Sequence, residues 1–426
     1  MKQRILYVES SRGQVGGSMR SLWTLVRHLD RERFEPRVLI FWDDPFWNRF
    51  REAGIPVIHW PGAHSGRLPW QKRTGEPAGT SQPAAPSDVG ARRVPGAAHA
   101  TDPAAMRYLE QPVIRRAASS LLHLLLGDLP LAFRLARLAR QEDVHLLHAN
   151  DRTGSNRFVI LAGLLSGRPV VQHERLVAPY RWTDAWLSRR VGATLCVSAR
   201  VARQVRENGN RCTRLEVIPD ATEPVVAPAA ARNGHRKVGI VGRLVAWKGQ
   251  DLFLQAMQGV AGRWADVEFL VIGSAPPDAA PYERRLRELA GSPALAGRVR
   301  FTGFVADPLA VIRGLDLLVV ASKTPEPFGL TVIEAMSAGV PVVAPAAGGP
   351  AETVEDQVTG LLVPPGDAGA LQEAVEELLA DPARRRRMGA AGREIHGRRY
   401  HPAVLARCVA AVYADLARPA ARQGAS

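Results

Sequence analysis

Short runs of apolar residues recur along the chain and alternate with longer segments in which apolar residues return every three or four positions. The short runs are typical of buried strands, and the longer segments indicate helices that pack by one face. Regular alternation of the two predicts parallel sheets with helices on both faces. The predicted strands are residues 4–8, 37–41, 56–59, 144–148, 169–173, 194–198 and 215–219, followed by residues 237–242, 269–273, 299–303, 317–321 and 341–344.

These two groups of strands predict two domains joined by a linker, as a chain of 426 residues allows. Ala, Pro and Gly dominate residues 221–235, and this composition is typical of linkers. The first domain is therefore assigned to residues 1–222, the linker to residues 223–235 and the second domain to residues 236–400.

One stretch of the first domain breaks the pattern. Residues 61–105 are rich in Pro, Gly, Ala and Ser and lose the apolar periodicity, which predicts a flexible surface insertion. Two Arg/Leu-rich amphipathic segments follow it, at residues 113–126 and 130–140. Helices that lie on a membrane surface have this pattern. Helices that pack their leucines on a sheet and leave their arginines in water have it too, and base rates favour this second interpretation.

The charge balance narrows the classes of partner. The formal net charge is +15, and most of the excess lies in the first half of the chain. Its arginines are dispersed among Ala and Leu, without a basic tract interleaved with aromatic residues, so nucleic-acid binding is disfavoured. An anionic membrane surface or a phosphorylated lipid acceptor fits this balance better. A codon-driven bias toward Arg and Ala is the alternative explanation.

Cysteine spacing and hydropathy favour the cytoplasm. Cys196, Cys212 and Cys408 have neither the spacing of a zinc site nor that of a disulfide framework, which fits a reducing compartment. The sequence contains no apolar run of about 18 residues, and its N-terminus enters a strand pattern without a signal-peptide region. We therefore expect a cytoplasmic protein, attached at most peripherally to the inner face of the membrane.

The most informative segment places Glu326 and Glu334 eight positions apart around a glycine that opens a predicted helix. The first carboxylate lies on a loop, where it can accept hydrogen bonds from sugar hydroxyls. The second is expected in the first turn of the helix, where it can hold a ribose diol. Free backbone N–H groups at the start of a helix bind anions. The residues expected to provide them are Phe328, Gly329, Leu330 and Thr331.

A structural interpretation of part of this segment is a capping box between Thr331 and Glu334. The whole segment, E-P-F-G-L-T-V-I-E-A-M-S-A-G-V-P-V-V, resembles the E-x7-E motif of glycosyltransferase family 4. The resemblance implies an α/β protein with the GT-B fold, in which two Rossmann-like domains face each other across a cleft. It implies that Glu326 contacts the donor sugar and that Glu334 contacts the ribose. It also implies that a C-terminal helix, within residues 401–426, returns to the first domain.

A second segment carries two cations after the first strand of the second domain. It reads G-R-L-V-A-W-K-G, from Gly242 to Gly249, and is similar to the G-R-x4-K-G segment of the same family. A nucleotide sugar reacts by releasing its diphosphate, so Arg243 and Lys248 would offset the charge that grows on the leaving oxygen. Taken alone, two cations on a loop are more often solvated surface.

Signals in the first half are weaker. Gly16 and Gly17 follow the first strand, where the resemblance assigns them to the donor phosphate or the acceptor; a plain turn is the alternative. Their spacing is not G-x-G-x-x-G, so a nicotinamide site is disfavoured. His173 ends a strand at the position of a family histidine that contacts the donor sugar near the reacting carbon. Asn150 and Asp151 end the preceding strand and are candidates for binding the acceptor.

The resemblance implies a retaining, hexose-transferring enzyme that uses a nucleoside diphosphate sugar and a glycan or lipid-linked acceptor, in the synthesis of cell-surface polysaccharide or glycolipid. The chain contains no Asp-x-Asp triplet, so we expect no essential metal ion. We expect no other cofactor either, because the nucleotide sugar is a substrate. Two alternatives stay open: an epimerase or phosphorylase with the same fold, and a noncatalytic protein bound at a membrane surface.

Overall fold

The computed structural model describes residues 2–10, 16–61, 119–176, 178–225 and 236–417. Two all-parallel sheets organise these residues, with strand orders β3-β2-β1-β4-β5-β6-β7 and β10-β9-β8-β11-β12-β13. The strands are β1 Gln3–Glu9, β2 Phe34–Ile40, β3 Val57–His59, β4 Leu146–Asp151, β5 Val170–Glu174, β6 Ala193–Cys196, β7 Leu215–Val217, β8 Arg236–Val241, β9 Val267–Ile272, β10 Val299–Gly303, β11 Leu317–Val319, β12 Val342–Pro345 and β13 Gly360–Val363.

Helices cover both faces of the two sheets. Those of the first half are α1 Gly17–His28, α2 Asn48–Glu52, α3 Leu129–Gln141, α4 Arg157–Ser166, α5 Trp182–Ser188 and α6 Ala199–Glu207. Those of the second half are α7 Gln250–Arg263, α8 Ala280–Ala290, α9 Pro308–Ile312, α10 Leu330–Ala338, α11 Pro350–Thr353, α12 Ala368–Ala380, α13 Pro382–Ile395 and α14 Pro402–Ala417. Among the helices of the described residues, none is both long enough and apolar enough to cross a bilayer.

Burial on both faces explains why the central strands read as continuous apolar runs. In β1, Ile5, Leu6, Tyr7 and Val8 are all fully buried, as expected for a parallel strand between two layers of helices. The prediction of two doubly wound parallel sheets is therefore confirmed. All twelve predicted strands overlap an observed one. The strand β13 was not predicted, because its apolar run is only three residues long, and it is extended by pairing with β12 at the edge of the sheet.

The positions that matter for function follow from the strand order. In each sheet the order in which successive strands are added reverses at the centre, between β1 and β4 in the first sheet and between β8 and β11 in the second. Ligands of such sheets bind beyond the carboxyl ends of the strands, at this point of reversal. The loops after β1, β8 and β11 therefore lie where a ligand is expected to bind.

The C-terminal helix α14 packs against the first sheet rather than the second. Leu405, Val409, Val412 and Tyr413 are buried in the same core as Leu22 of α1. The chain thus returns to the domain in which it began, through contacts that include the hydrogen bond from Thr222 N to Tyr400 O, 3.2 Å long.

Several predicted segments lie partly or wholly outside the described residues. They are the insertion from residue 62 onward, the linker from residue 226 onward and the first amphipathic segment up to residue 118. The second amphipathic segment forms α3, which buries Leu131 and Leu135 against the sheet and exposes Phe133. This burial matches the sheet-packing interpretation of its leucines.

Candidate active site

Glu326 lies on the loop between β11 and α10, at the carboxyl edge of the second sheet. Its side chain is almost fully buried and accepts hydrogen bonds from the Lys248 ammonium, 2.7 Å from Oε1, and from the Ser322 hydroxyl. The main chain is held as well, because Gly349 N donates to Glu326 O at 2.7 Å. A carboxylate fixed in this way has little freedom to turn away from the crevice.

The loop after β8 brings the cations to the same place. Residues Ala246–Lys248 form one 3₁₀ turn, and Lys248 Nζ lies 4.5 Å from the centroid of the Trp247 ring. Gly249 follows with φ of +71° and packs directly on the backbone of Ala321, where a side chain has no room. Arg243 is exposed on this loop. The structure therefore joins Lys248 to Glu326 and leaves the Arg243 guanidinium at the surface of the loop.

Glu334 is fully buried in the second turn of α10, not in the first turn as the sequence predicts. The helix begins after Gly329, which has φ of +95° and makes no side-chain cap. The alternative interpretation of this segment as a capping box is therefore wrong, since Thr331 lies inside the helix. Glu334 Oε1 instead pairs with the Arg20 guanidinium of α1, while Oε2 has no partner among the described residues.

Burial and charge oppose each other at Glu334. Burial raises the pKa of the Glu334 carboxyl above its ordinary value and outweighs the opposing charge of Arg20. Among the remaining nearby charges, Asp307 raises this pKa and Lys248 lowers it. Because Lys248 acts on Glu334 and bonds to Glu326, the three groups belong to one electrostatic site.

Two helix N-termini meet at this site. In α10, the first amide to close a turn is Val332 N, which donates to Gly329 O at 2.9 Å. The amides before it, those of Leu330 and Thr331, are the free donors of the helix start. Gly17, at the start of α1, lies against the same turn, since a Cβ there would be 3.8 Å from Leu330 Cδ2. The positive ends of both helix dipoles thus favour an anion between the domains.

His173 lies at the carboxyl end of β5, as predicted, and is fully buried. Its Nδ1 is 3.4 Å from Arg175 Nη2, its ring centroid is 5.5 Å from that of His148, and its Nε2 has no partner among the described residues. Burial, assisted by the charge of Arg175, lowers the pKa of His173 well below its ordinary value. The neutral imidazole can therefore donate or accept a hydrogen bond, and no described contact links it to Glu326 or Lys248.

Further polar groups surround His173 at the edge of the first sheet. Asn150 donates to Ser18 Oγ at 2.9 Å and to the Glu9 carboxylate, and it accepts from Arg175 Nε at 2.8 Å. Asp151 is buried beside them with φ of +95°. Burial, then the charge of Glu9, raises the pKa of Asp151 to about 7. This edge offers hydroxyl-bearing ligands both donors and acceptors.

Models of known families match most of the chain. Residues 226–395 match the model described as glycosyl transferases group 1, and residues 89–224 match the model described as Glycosyltransferase Family 4. The chain belongs to glycosyltransferase family 4. The first of these regions covers the whole second sheet, and the second covers strands β4 to β7 of the first sheet, so the resemblance carried by the Glu326 segment extends to both halves.

Curated relatives match parts of the chain. The 2-deoxystreptamine glucosyltransferase of Streptomyces kanamyceticus is 33% identical over 50% of this chain and 57% of its own length. The GDP-mannose-dependent alpha-(1-6)-phosphatidylinositol monomannoside mannosyltransferase of Mycobacterium tuberculosis is 38% identical over 38% of this chain and 43% of its own. In both cases the chain spans less than two thirds of the relative's length.

Solved structures match the fold over nearly the whole chain. Anabaena HepE in complex with UDP and glucose superposes with a TM-score of 0.72, at 22% identity, over 96% of this chain and 99% of its own. Sucrose-phosphate synthase from Thermosynechococcus elongatus gives 0.71, at 20% identity, over 97% and 99%. The predicted GT-B fold is thereby confirmed.

Sequence reasoning on the family-4 motifs missed two residues of the site, Arg20 and Ser322. Arg20 had a signal: it lies in the first turn of a helix, where the dipole disfavours a cation unless an anion lies nearby. Ser322 had none, since a serine four residues before Glu326 is ordinary in a loop.

Proposed function

We propose that this family-4 protein is a retaining glycosyltransferase that moves a hexose-type sugar from a nucleoside diphosphate sugar to a glycan or lipid-linked acceptor. The observation that carries the proposal is the Lys248–Glu326 pair, 2.7 Å long and with a buried carboxylate, next to two converging helix N-termini. A cation, a sugar-binding carboxylate and free amides are the groups that a diphosphate and its attached sugar require.

Each group has a role in the proposed reaction. Lys248 turns from Glu326 to the diphosphate, with the Arg243 fork beside it, and Glu326 then accepts hydrogen bonds from the sugar hydroxyls. The bond from the anomeric carbon to the diphosphate oxygen breaks, and its electron pair stays on that oxygen, where the cations and amides stabilise it. The acceptor oxygen forms the new bond on the same face, and its proton passes to the departing diphosphate.

Two residues complete this scheme. Glu334 binds the ribose diol, and His173, held neutral in the first domain, positions the sugar near the reacting carbon.

The proposal includes no divalent ion, because Arg243, Lys248 and the two helix starts supply the positive charge. An undiminished rate in excess EDTA is the expected result.

The relatives' names support a polyhydroxylated acceptor, such as the growing sugar chain of a polysaccharide or glycolipid. One relative is named for 2-deoxystreptamine and another for phosphatidylinositol monomannoside. A polar edge containing Asn150 and Asp151 is suited to either kind of polyhydroxylated acceptor.

An anionic membrane surface is a further partner in the proposal, in addition to the donor and the acceptor. The protein would bind the inner face of the membrane from the cytoplasm. An exposed apolar face supports it. The buried Arg157 binds both Asp128, which precedes α3, and Asp184 of α5, so these elements present one surface. Its exposed apolar side chains are Leu121, Leu122, Leu125, Leu126, Phe133, Trp182 and Trp186.

Sedimentation with vesicles tests this partner. Binding to phosphatidylglycerol-containing vesicles, lost in Leu125→Asp/Trp182→Ser and weakened by salt, is expected. The control is Phe304→Ser, which removes an exposed phenylalanine of the second domain. Equal sedimentation of all three proteins, or none by the wild type at low salt, contradicts the membrane partner and leaves the reaction untouched.

The reaction itself is tested by release of nucleoside diphosphate from a panel of UDP- and GDP-sugars, with and without acceptor. Lys248→Ala and Glu326→Ala are expected to lower the rate by about 10²–10³. The matched control is Lys323→Ala on the same loop, whose ammonium pairs with Asp251 at 2.6 Å. Donor consumption that needs no acceptor would favour an epimerase or phosphorylase, and an inverted anomer in the product would exclude retention.

A further inference from the structure

The Arg20–Glu334 ion pair crosses the cleft between the domains. Arg20 belongs to α1 of the first domain, and Glu334 to α10 of the second. Glu334 is fully buried, and its Oε2 accepts no hydrogen bond from the described residues. One oxygen of the Glu334 carboxylate is therefore paired across the cleft, and the other can still accept hydrogen bonds.

Burying such a carboxylate without its partner costs free energy. Removing one member of a buried ion pair leaves an uncompensated charge, and a carboxyl group then protonates rather than stay ionised in a low dielectric. Of the charges that act on Glu334, Arg20 has the largest stabilising effect, Lys248 a smaller one, and Asp307 opposes both. The second domain alone thus offers this carboxylate only the smaller stabilising charge of Lys248.

We propose that Arg20 is a positioning residue for the donor, which holds the Glu334 carboxylate ionised and oriented from the opposite domain so that its second oxygen accepts the ribose hydroxyls. This inference rests on the proposed function, because it takes a nucleoside diphosphate sugar as the ligand. Nucleotide binding is then coupled to domain arrangement, since the ribose contact is complete only when α1 lies against α10. Arg20 touches Glu334 and need not touch the nucleotide.

Calorimetric titration of the full chain with UDP and GDP tests the inference. Arg20→Ala is expected to weaken binding of the preferred nucleotide by about 10- to 100-fold, the range for a hydrogen bond to a charged group. Binding of its 2′,3′-dideoxy analogue, which lacks the ribose diol, should change far less. Arg20→Lys keeps the charge and should restore part of the affinity.

Two readouts separate positioning from a merely structural role. First, Glu334→Gln combined with Arg20→Ala should bind no more weakly than Glu334→Gln alone, because Arg20 acts through this carboxylate. Second, affinity falls as pH drops and Glu334 protonates. Without Arg20 this loss should occur at a higher pH than in the wild type.

The control is Arg27→Ala, which removes another arginine of α1, one that pairs with Glu223; it should leave binding unchanged. Equal affinity and equal pH dependence of Arg20→Ala and wild type would overturn the inference and leave the proposed function standing. Tighter binding by Arg20→Ala would also overturn it, because Arg20 would then occupy the place of the ribose. Binding of neither nucleotide by the wild type would overturn the proposed function as well.

Discussion

Close backbone approach around Glu326 depends on Gly348 and Gly349. A Cβ at Gly348 would lie 2.7 Å from the backbone N and O of Glu326, and one at Gly349 would overlap the backbone of Phe328. Gly349 has an ordinary φ of −61°, so it is required there by space rather than by conformation. The Glu326 carboxylate is therefore placed by residues more than twenty positions later in the chain.

Gly349→Ala should displace the Glu326 loop and lower the transferase rate while costing about 1–3 kcal/mol of stability, as overpacking does. The matched control is Gly262→Ala on α7, where an added Cβ meets nothing within 4 Å; it should leave the rate unchanged. Initial rates and thermal unfolding measured together check the prediction, and an unaltered rate for Gly349→Ala would contradict it.

The raised pKa of Asp151, about 7, predicts a pH-dependent stability. Between the ordinary pKa of an aspartate and about pH 7, the folded protein binds a proton that the unfolded chain has lost. Stability therefore decreases as pH rises through this range, by up to about 1.4 kcal/mol per pH unit from this group. Burial also raises the pKa of Glu174 to about 7, which adds in the same direction.

Asp151→Asn should flatten part of this dependence and stabilise the protein at pH 8 relative to the wild type. Asp266→Asn, at a half-exposed aspartate paired with Arg236, serves as the control. Urea unfolding from pH 5 to pH 8 measures the slopes, and identical slopes for Asp151→Asn and the wild type would contradict the assignment.

At the scale of elements, α14 packs against the residues that lie beneath His173 in the first domain. Tyr413 is fully buried, and its hydroxyl lies 3.0 Å from Tyr7 Oη and 2.7 Å from His148 Nδ1. His148 in turn packs against His173. The helix thus contributes both core packing and the hydrogen bond that orients the neighbour of His173.

Tyr413→Phe should destabilise the protein by about 1–3 kcal/mol, because it leaves buried polar groups of Tyr7 and His148 without their partner. We also expect a lower kcat with little change in donor KM, since the side chains proposed to bind the nucleotide, those of Arg243, Lys248 and Glu334, are in the other domain. Arg407→Ala on the exposed face of α14 is the control. Unfolding curves and steady-state kinetics distinguish the two variants.

For the whole molecule, one group of contacts between the domains lies beside the loop that carries Glu326. Ser198 Oγ, at the start of α6, donates to Pro327 O at 2.6 Å. The Glu352 carboxylate of the second domain accepts from Ala199 N at 2.8 Å and from Arg200 N at 2.6 Å. A first-domain helix is therefore capped by a second-domain carboxylate, next to the loop that carries Glu326.

Glu352→Gln should loosen domain closure without touching the donor site. A charge at a helix N-terminus contributes about 0.3–1 kcal/mol, so we expect donor KM to rise only about two- to fivefold and the radius of gyration in solution to increase. Glu377→Gln, at an exposed residue of α12, should change neither. Kinetics and small-angle scattering test both expectations, and an unchanged KM for Glu352→Gln would contradict them.

The local pattern of apolar residues was enough to predict much of the fold of this protein. Buried parallel strands are apolar throughout, so their positions could be predicted without tertiary information, as could the doubly wound class. The Lys248–Glu326 pairing was predictable because both residues follow central strands of one sheet, whose carboxyl ends share an edge. Gly249 and Gly329 could be recognised as turn glycines, because few other residues adopt the positive φ angle that such turns require.

Only the tertiary structure decided how the two halves meet. The partner of Glu334 lies 314 positions away in the sequence, and the two partners of Tyr413 lie 265 and 406 positions away. No local periodicity encodes such contacts, since they depend on how two independently formed sheets dock. The sequence therefore determined which chemical groups line each half, and docking of the domains decided which of those groups are buried, paired and held in place for a ligand.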